Sequence, residues 1–344
     1  MTSDAVRHVI GHRPDAEASA VLVRLTGPDG TSTIGSGTAD PDTGAPLHAG
    51  RHFRIGGVTK TFLAVTLLSL VAEGRLHLDE PVVRRLPGLL PGSVTVRSLL
   101  DHTSGLVDES DVRYNDTAWF LRHRFDTFTP DQLLARARSR PLAFPTGTRQ
   151  QITRANYVAI GMLVEHVEGR SYAEATRDRV LRPLGLDHTW LPGADPALPA
   201  PFVRGYDEGV DVTRHSPSLH GAAGEMVSTV ADLDRFLHAL TTGELLPPGI
   251  AREMYRVPDV PYAKGGRAFC GAGLDSVTLP GDVTVWGMAG IVHGYLAGIA
   301  FGGVPERRLV YLVCPTRRGG LRAPPIVERL LHSAFSGRAS SPVS

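Results

Sequence analysis

The chain has 344 residues, of which 42% are hydrophobic and 21% are charged, so it can bury a substantial core in one large domain or two closely packed ones. Its formal net charge is +1, and it has no long basic run interleaved with aromatic residues, which argues against nucleic acid or an anionic membrane as a partner. We therefore expect a soluble globular protein that acts on a small-molecule substrate; the composition does not indicate an oligomeric state.

Targeting signals are not evident in the sequence. Residues 1–8 lack a basic stretch followed by an apolar one, so no signal peptide is predicted, and no apolar run of about 18 residues could span a bilayer. A cytoplasmic location is the resulting expectation. Cys270 and Cys314 lie in apolar segments without disulfide or metal-site spacing, which predicts buried free thiols.

The apolar pattern predicts strands at both ends of the chain and helices between them. The segments 19–26 and 31–39 flank a Pro-Asp-Gly turn and predict a hairpin, after which residues 58–72, apolar almost all round, predict a buried helix ended by Gly74. Further helices are predicted at 94–100, 130–138, 156–168, 172–184, 229–241 and 323–335, and further strands at 269–279, 282–288, 294–302 and 308–314.

This order of elements predicts an α+β fold. An antiparallel sheet would be built from residues 1–60 and 265–336, a mainly helical region would span 61–264, and the site would lie between the two regions. The tail 337–344 is expected to be disordered. The polar, aromatic-rich segment 107–128 has two interpretations, a lid over a pocket or a surface excursion.

Four motifs carry a resemblance to a known family. They are Phe53-Arg-Ile-Gly with Val-Thr-Lys60, Leu99-Leu-Asp-His-Thr-Ser-Gly-Leu106, Asn156-Tyr-Val-Ala-Ile-Gly161, and Gly221-Ala-Ala-Gly-Glu-Met-Val-Ser-Thr229 followed by Asp232-Leu-Asp-Arg-Phe236. Together they resemble the serine β-lactamase and DD-peptidase superfamily, and most nearly its class C β-lactamase and esterase-like branch. The resemblance covers essentially the whole chain and implies a β-lactamase/DD-peptidase-like fold.

The catalytic residues that the resemblance would imply are replaced. Gly57 stands where the family's Ser-x-x-Lys motif has its nucleophile, and Ile152 and Arg154 stand where a Tyr-x-Asn motif is expected, with Thr153 between them. Met288 opens the segment that should be Lys-Thr-Gly or His-x-Gly. Lys60, Gly290 and the Thr153 hydroxyl remain. Because glycine has no side chain, acyl-enzyme chemistry through residue 57 is impossible.

The groups that remain favour proton transfer at a carbonyl. The resemblance implies that the backbone N–H groups of Gly57 and Ile291 occupy the oxyanion-hole positions, where they would stabilise a developing anion. Lys60 is one of only two lysines in the chain, and burial beside Arg154 would bring it toward neutrality, so that it could act as a general acid or base. Ile152 and Met288 would make the walls less polar.

Additional candidate residues follow from position. His293, close after the third motif, is a candidate catalytic group, and His220, Glu225 and Tyr295 are candidate pocket residues. The alternatives are structural histidines, a solvated Glu225 at the rim, and a Lys60 kept only for an internal hydrogen bond. Asp101 and His102 are expected to be structural. Metal-ligand spacings are missing, so no metal or cofactor is expected.

Three functional hypotheses result. The first is an enzyme that performs non-hydrolytic acid/base catalysis, such as cyclisation, isomerisation or elimination, on a small carbonyl-containing metabolite, in natural-product biosynthesis. The second is a pseudoenzyme that binds a ligand or partner. The third is a hydrolase or esterase that uses another nucleophile, with Thr153 and Ser104 as weak candidates, or a Lys-activated water, or that lost its serine by mutation to Gly57.

Overall fold

The computed structural model describes residues 2–11, 18–107, 116–302, 307–315 and 325–335. The predictions for the tail 337–344 and for most of the first half of segment 107–128 lie outside these residues. The described helices are α1 (Thr2–Gly11), α2 (Thr59–Ala72), α3 (Val96–Leu100), α4 (Thr117–His123), α5 (Pro130–Ser139), α6 (Arg154–Glu168), α7 (Tyr172–Thr176), α8 (Val230–Thr242), α9 (Pro248–Ala251) and α10 (Pro325–Phe335).

The main sheet has six antiparallel strands. They are β1 (Ala18–Gly27), β2 (Gly30–Gly37), β7 (Asp275–Leu279), β8 (Val283–Val292), β9 (Tyr295–Gly302) and β10 (Arg307–Pro315), in the order β2-β1-β10-β9-β8-β7. Two small sheets pair β3 (Phe53–Arg54) with β6 (Val227–Ser228), and β4 (Tyr206–Asp207) with β5 (Val210–Asp211). The first and last strand groups thus meet in one sheet, which confirms the predicted fold.

The sheet is covered on both faces because its strands alternate between two cores. Along β1, Leu22 faces the main core with α2 and α8, whereas Val21 and Val23 face a second core formed with α1 and α10. The register fixes this alternation, since a slip of one residue would exchange the two faces. Leu22 lies opposite Leu312 of β10 and Val23 opposite Tyr311.

Helix α2 is the centre of the main core, as its composition predicted. Its residues from Thr59 to Leu68 are all buried, and the ring of Phe62 stacks on Phe236 of α8 with 3.8 Å between centroids. A short 3₁₀ turn, Gly56–Val58, leads into the helix and packs against β8. The start of α2 is therefore held rigidly beside the sheet.

Some predicted elements differ from the structure. The strand expected at 269–279 begins only at Asp275, because Gly273 has a φ of +79° and Gly271 packs so closely on the backbone of Met254 that a Cβ would lie 2.2 Å from its oxygen. Conversely, β8 runs four residues beyond its predicted end, to Val292. Helix α1 was not predicted, and the helix expected at 172–184 changes after Thr176 into a π-helical turn, Arg177–Leu181.

None of the helices in the described ranges combines the length and apolar character needed to cross a bilayer.

Candidate active site

Gly57 and Lys60 lie together at the junction of the 3₁₀ turn with α2. Gly57 is partly exposed, whereas Gly56 and Val58 on either side are buried. Lys60 is 9% exposed, and its Nζ would lie 3.7 Å from a Cβ placed on Gly57. The ammonium group therefore faces the space that a nucleophilic side chain at residue 57 would occupy.

Strand β8 crowds that space. A Cβ on Gly57 would lie 2.9 Å from the carbonyl oxygen of Ala289 and 3.4 Å from Cα of Gly290. The backbone of Gly57 is not in the left-handed region, so its conformation would accept other residues, and the space alone disfavours a side chain. A serine would fit here only if β8 or the 3₁₀ turn moved.

The backbone of Gly290 approaches the same turn even more closely. A Cβ on Gly290 would lie 2.0 Å from the oxygen of Ile55 and 2.4 Å from the nitrogen of Gly57, so only glycine fits. The nitrogen of Ile291 lies 3.0 Å from the Cβ position of Gly56. The structure therefore brings together the backbone segments of Gly57 and Ile291, the two residues expected to supply N–H donors.

Several titratable side chains interact with the charge of Lys60, among them Asp275 and Cys270, which were not candidates in the sequence. Burial holds the pKa of Asp275 above its usual value, against a hydrogen bond with Cys270 and the charge of Lys60, which both lower it. Burial and then the charge of Asp275 raise the pKa of the Cys270 thiol well above its usual value. The Nζ of Lys60 also lies 5.9 Å from the ring centroid of Tyr157. Asp275 is thus a carboxylate that acts on the same ammonium.

Asp275 gave a weak sequence signal, since one acidic residue after Leu274 fits the solvent face of a predicted strand. Its position near Lys60 depends on the loop before β7, where Thr61 of α2 donates its hydroxyl hydrogen to the oxygen of Gly273 at 2.7 Å. Both cysteines are buried and free, as predicted.

His102 has a structural role and is neutral. Its Nδ1 accepts hydrogen bonds from the side-chain amide of Asn156 at 2.9 Å and from the backbone N–H of Thr153 at 3.4 Å, which places the ring proton on Nε2. Burial, followed by the charge of Lys60, lowers the pKa of His102 well below its usual value. Ser104 donates to the same Asn156 at 2.6 Å. These bonds fix the loop that leads into α6.

The second replaced motif lies at the start of α6. Thr153 is buried and caps the helix, because its hydroxyl accepts the N–H of Ala155 at 3.3 Å. Arg154 is the first residue of the helix, and both Arg154 and Ile152 are half-buried. A capping role does not favour Thr153 as a nucleophile.

Met288 and Tyr295, two candidate pocket residues, are both buried. Met288 packs in the main core, as does its cross-strand partner Ile299. Tyr295 is fully buried, and its hydroxyl donates to the oxygen of Val203 at 2.8 Å. Met288 is buried because side chains alternate between the two faces of β8: Met288 points inward, and the next residue, Ala289, is exposed.

Glu225, a candidate pocket residue, is 2% exposed, which excludes the alternative of a solvated position at the rim. Its carboxylate accepts a hydrogen bond from the Tyr172 hydroxyl at 2.6 Å. Burial raises its pKa to about 7. His220 is buried next to Gly224, which in turn packs on Gly56 of the 3₁₀ turn, so this histidine lies near the site.

His293 forms a buried pair that the sequence did not indicate. Its Nδ1 lies 2.6 Å from Oδ2 of Asp207, and the two side chains are 0% and 2% exposed. The ring stacks on Phe120 of α4 with 3.4 Å between centroids. His293 is therefore enclosed, three residues beyond Gly290. Among the described residues, no cluster of three or more His, Cys, Asp or Glu could hold a metal ion.

Comparison with known proteins supports the sequence motifs. The family model described as "Beta-lactamase" matches residues 7–334. Esterase EstB from Burkholderia gladioli is 35% identical over 205 residues, which cover 54% of this chain and 52% of that protein. This chain spans about half the length of the curated relatives it matches.

Two solved structures match over nearly their full length. A D-stereospecific amidohydrolase from Streptomyces sp. has a TM-score of 0.84 and 30% identity, covering 98% of this chain and 99% of the other. The D-amino acid amidase from Ochrobactrum anthropi SV3, solved with D-phenylalanine, has a TM-score of 0.82 and 26% identity, covering 96% and 98%. The resemblance to the serine β-lactamase and DD-peptidase superfamily is thereby confirmed.

Proposed function

We propose that this chain, which belongs to the Beta-lactamase family, a family of the hydrolase type, catalyses proton transfer on a small carbonyl compound without an acyl-enzyme. The observation that carries the proposal is the close contact of Ala289 with Gly57, where a Cβ would lie 2.9 Å from a backbone oxygen. A serine at residue 57 would therefore require β8 or the 3₁₀ turn to shift, which supports chemistry that does not use a side chain at this position.

In the proposed reaction the substrate's carbonyl oxygen accepts hydrogen bonds from the N–H groups of Gly57 and Ile291. Lys60, as the neutral amine, removes a proton from the carbon next to the carbonyl, and the oxygen takes the negative charge. In an isomerisation the resulting ammonium returns the proton to another carbon. In an elimination the enolate expels a leaving group from the β-carbon and the ammonium protonates it, whereas in a cyclisation the enolate carbon attacks an electrophilic carbon of the same substrate and the ammonium protonates the group that accepts the electron pair. The charge of Lys60 lowers the pKa of Asp275, so this carboxyl group interacts with the ammonium that forms in the step.

The substrate class is proposed from the relatives. They are named as an esterase, an amidohydrolase and an amidase, which suggests a carbonyl of the ester or amide type. We propose a small metabolite of natural-product biosynthesis that carries such a carbonyl.

Exchange of the α-proton for deuterium in D₂O tests the proposal. D-phenylalanine amide and simple esters are incubated with the protein, and loss of the α-proton signal is followed by NMR. Lys60→Met should slow the exchange by at least about 10²-fold. Lys264→Met, at the exposed second lysine, is the matched control and should exchange at the wild-type rate. Equal exchange in wild type and Lys60→Met would refute the role of Lys60.

A second candidate, hydrolysis by a water held at Lys60, is favoured by the hydrolase names of the relatives. Hydrolysis in H₂¹⁸O would label the product acid, and intact-protein mass spectrometry would show no acyl adduct. A stable adduct would instead indicate a side-chain nucleophile and contradict both candidates. Tight binding of a probe without exchange or hydrolysis would indicate a pure binding protein.

A further inference from the structure

The segment 203–215, which contains β4 and β5, contacts both Arg54, which precedes the 3₁₀ turn, and the turn between β8 and β9. It is closed on itself by two hydrogen bonds, one from the N–H of Val212 to the oxygen of Gly205 at 2.9 Å and one from the N–H of Gly205 to the Thr213 hydroxyl at 3.0 Å. The pairing of Asp207 with Val210 adds the two-stranded ladder. We call this segment the 203–215 unit.

The first contact of the unit is with the side chain of Arg54, which lies three residues before Gly57. The guanidinium donates to the oxygen of Thr213 through Nε and Nη2, at 3.3 Å each, and to the oxygen of His215 at 3.0 Å. Arg54 is 2% exposed, and burial lowers its pKa to about 10. Burying a guanidinium is costly unless its donors are satisfied. The carbonyl oxygens of the unit, together with that of Pro196 at 2.9 Å from Nη2, satisfy Nε and Nη2, whereas Nη1 has no partner among the described residues.

The second contact of the unit is with the turn between β8 and β9, which follows Ile291. Val292 pairs with Tyr295 at the end of β8 and β9, so His293 and Gly294 form the turn between the strands. Nδ1 of His293 forms a hydrogen bond with Oδ2 of Asp207 in the unit at 2.6 Å, and the Tyr295 hydroxyl donates a hydrogen bond to the carbonyl oxygen of Val203. Gly205 also packs on the Tyr295 ring so closely that a Cβ would lie 2.7 Å away.

We propose that the 203–215 unit sets the separation between the Gly57 and Ile291 N–H groups, with Arg54, Asp207 and His293 as positioning residues. Neither N–H group lies on the unit, but each is a few residues from a side chain that the unit holds. Oxyanion donors are effective only when they are placed to within a fraction of an ångström, so a common support for both matters. The catalytic consequence rests on the proposed function, whereas the positioning does not.

Backbone hydrogen exchange in Asp207→Asn tests the coupling. The substitution keeps the size of the side chain but removes the charge from the bond to His293. We expect roughly 10- to 100-fold faster exchange at Ile291 and also at Gly57, which Asp207 does not touch, with unchanged exchange within α2. Faster exchange at Ile291 alone would overturn the proposal, because the two sides would then be independent.

Asp42→Asn is the matched control. Asp42 is 69% exposed and accepts a hydrogen bond from Arg204 of the same unit at 3.1 Å, so this variant loosens a surface contact of the unit and should leave exchange at Gly57 unchanged. If Asp207→Asn also accelerates exchange in α2, two variants of His293 show whether the faster exchange at Gly57 reflects lost positioning or general destabilisation. His293→Asn keeps an N–H donor and should exchange more slowly at Gly57 than His293→Ala; equal rates would overturn the proposal.

Kinetics separate this proposal from the proposed function. In the α-proton exchange assay, Asp207→Asn should lower kcat at least tenfold with KM within about twofold, because the donors act mainly in the transition state. Faster backbone exchange with unchanged kcat would retain the positioning unit and remove the proposed oxyanion role. A lower kcat without faster backbone exchange would overturn the positioning unit.

Discussion

Replacing Glu225 by glutamine should change how folding stability depends on pH, because the protein buries this side chain as an acid. Glu225 is 2% exposed, and burial raises its pKa from 4.5 to about 7. At about 1.4 kcal/mol per pH unit, that difference corresponds to about 3 kcal/mol. Because the side chain of Glu225 is almost fully buried, solvent screening reduces this free-energy difference only slightly.

The sign follows from proton binding. Below about pH 4.5 Glu225 is protonated in both the folded and the unfolded chain, and the raised pKa has no effect on pH dependence. Between about pH 4.5 and 7 the unfolded chain releases its proton while the folded protein keeps it, so the free energy of unfolding falls as the pH rises. Above about pH 7 the full loss of about 3 kcal/mol is present.

Denaturant unfolding of wild type and Glu225→Gln at pH 5 and pH 8 measures this effect. Glutamine resembles the protonated acid and can still accept the bond from Tyr172, so the two proteins should differ little at pH 5. At pH 8 the variant should be more stable by up to about 3 kcal/mol. Buried His102 and His215, whose pKa values are lowered, act in the opposite direction below about pH 6.5, but they are present in both proteins and cancel.

Two further results decide the interpretation. Glu208→Gln, on an exposed turn, is the matched control and should show the same pH dependence as wild type. A stability difference between wild type and Glu225→Gln that stays constant from pH 5 to pH 8 would refute the buried-acid reasoning, as would a variant that is less stable at pH 8.

Three more expectations follow from the same structure. Gly57→Ser should lose about 1–3 kcal/mol of stability in denaturant unfolding, because its Cβ would lie 2.9 Å from a backbone oxygen of β8. The variant should also give no acyl adduct with esters in intact-protein mass spectra. Wild-type stability together with a stable adduct would contradict this expectation. Gly290→Ala should lose more, since its Cβ would lie 2.0 Å from a backbone oxygen, whereas Gly92→Ala, with no atom within 4 Å, should unfold like wild type. Tyr172→Phe removes a hydrogen bond that lowers the pKa of Glu225, so stability should fall more steeply between pH 5 and pH 8 than in wild type; an unchanged slope would show that the bond does not hold the carboxylate.

Local sequence was sufficient for much of the fold. The continuous apolar run before Ala72 predicted a helix buried on all sides, and the alternating segments at the two ends predicted one sheet, because these signals depend on residues near one another in the chain. The motif around Lys60 indicated the family, and Gly57 by itself excluded a side-chain nucleophile at that position.

Contacts between distant segments decided the rest of the site. The sequence did not indicate that Asp275 lies near Lys60 or that Asp207 bonds to His293, since the partners in each pair are separated by more than 80 residues. Glu225 was a candidate pocket residue with a solvated rim position as the alternative, because a carboxylate is usually solvated, and only the tertiary structure shows that it is buried against Tyr172. The sequence by itself thus predicted the buried helix that carries Lys60 and showed that residue 57 has no side chain. The tertiary structure decided which charges surround Lys60 and how little space β8 leaves at Gly57, because burial and approach distances arise only when the segments pack.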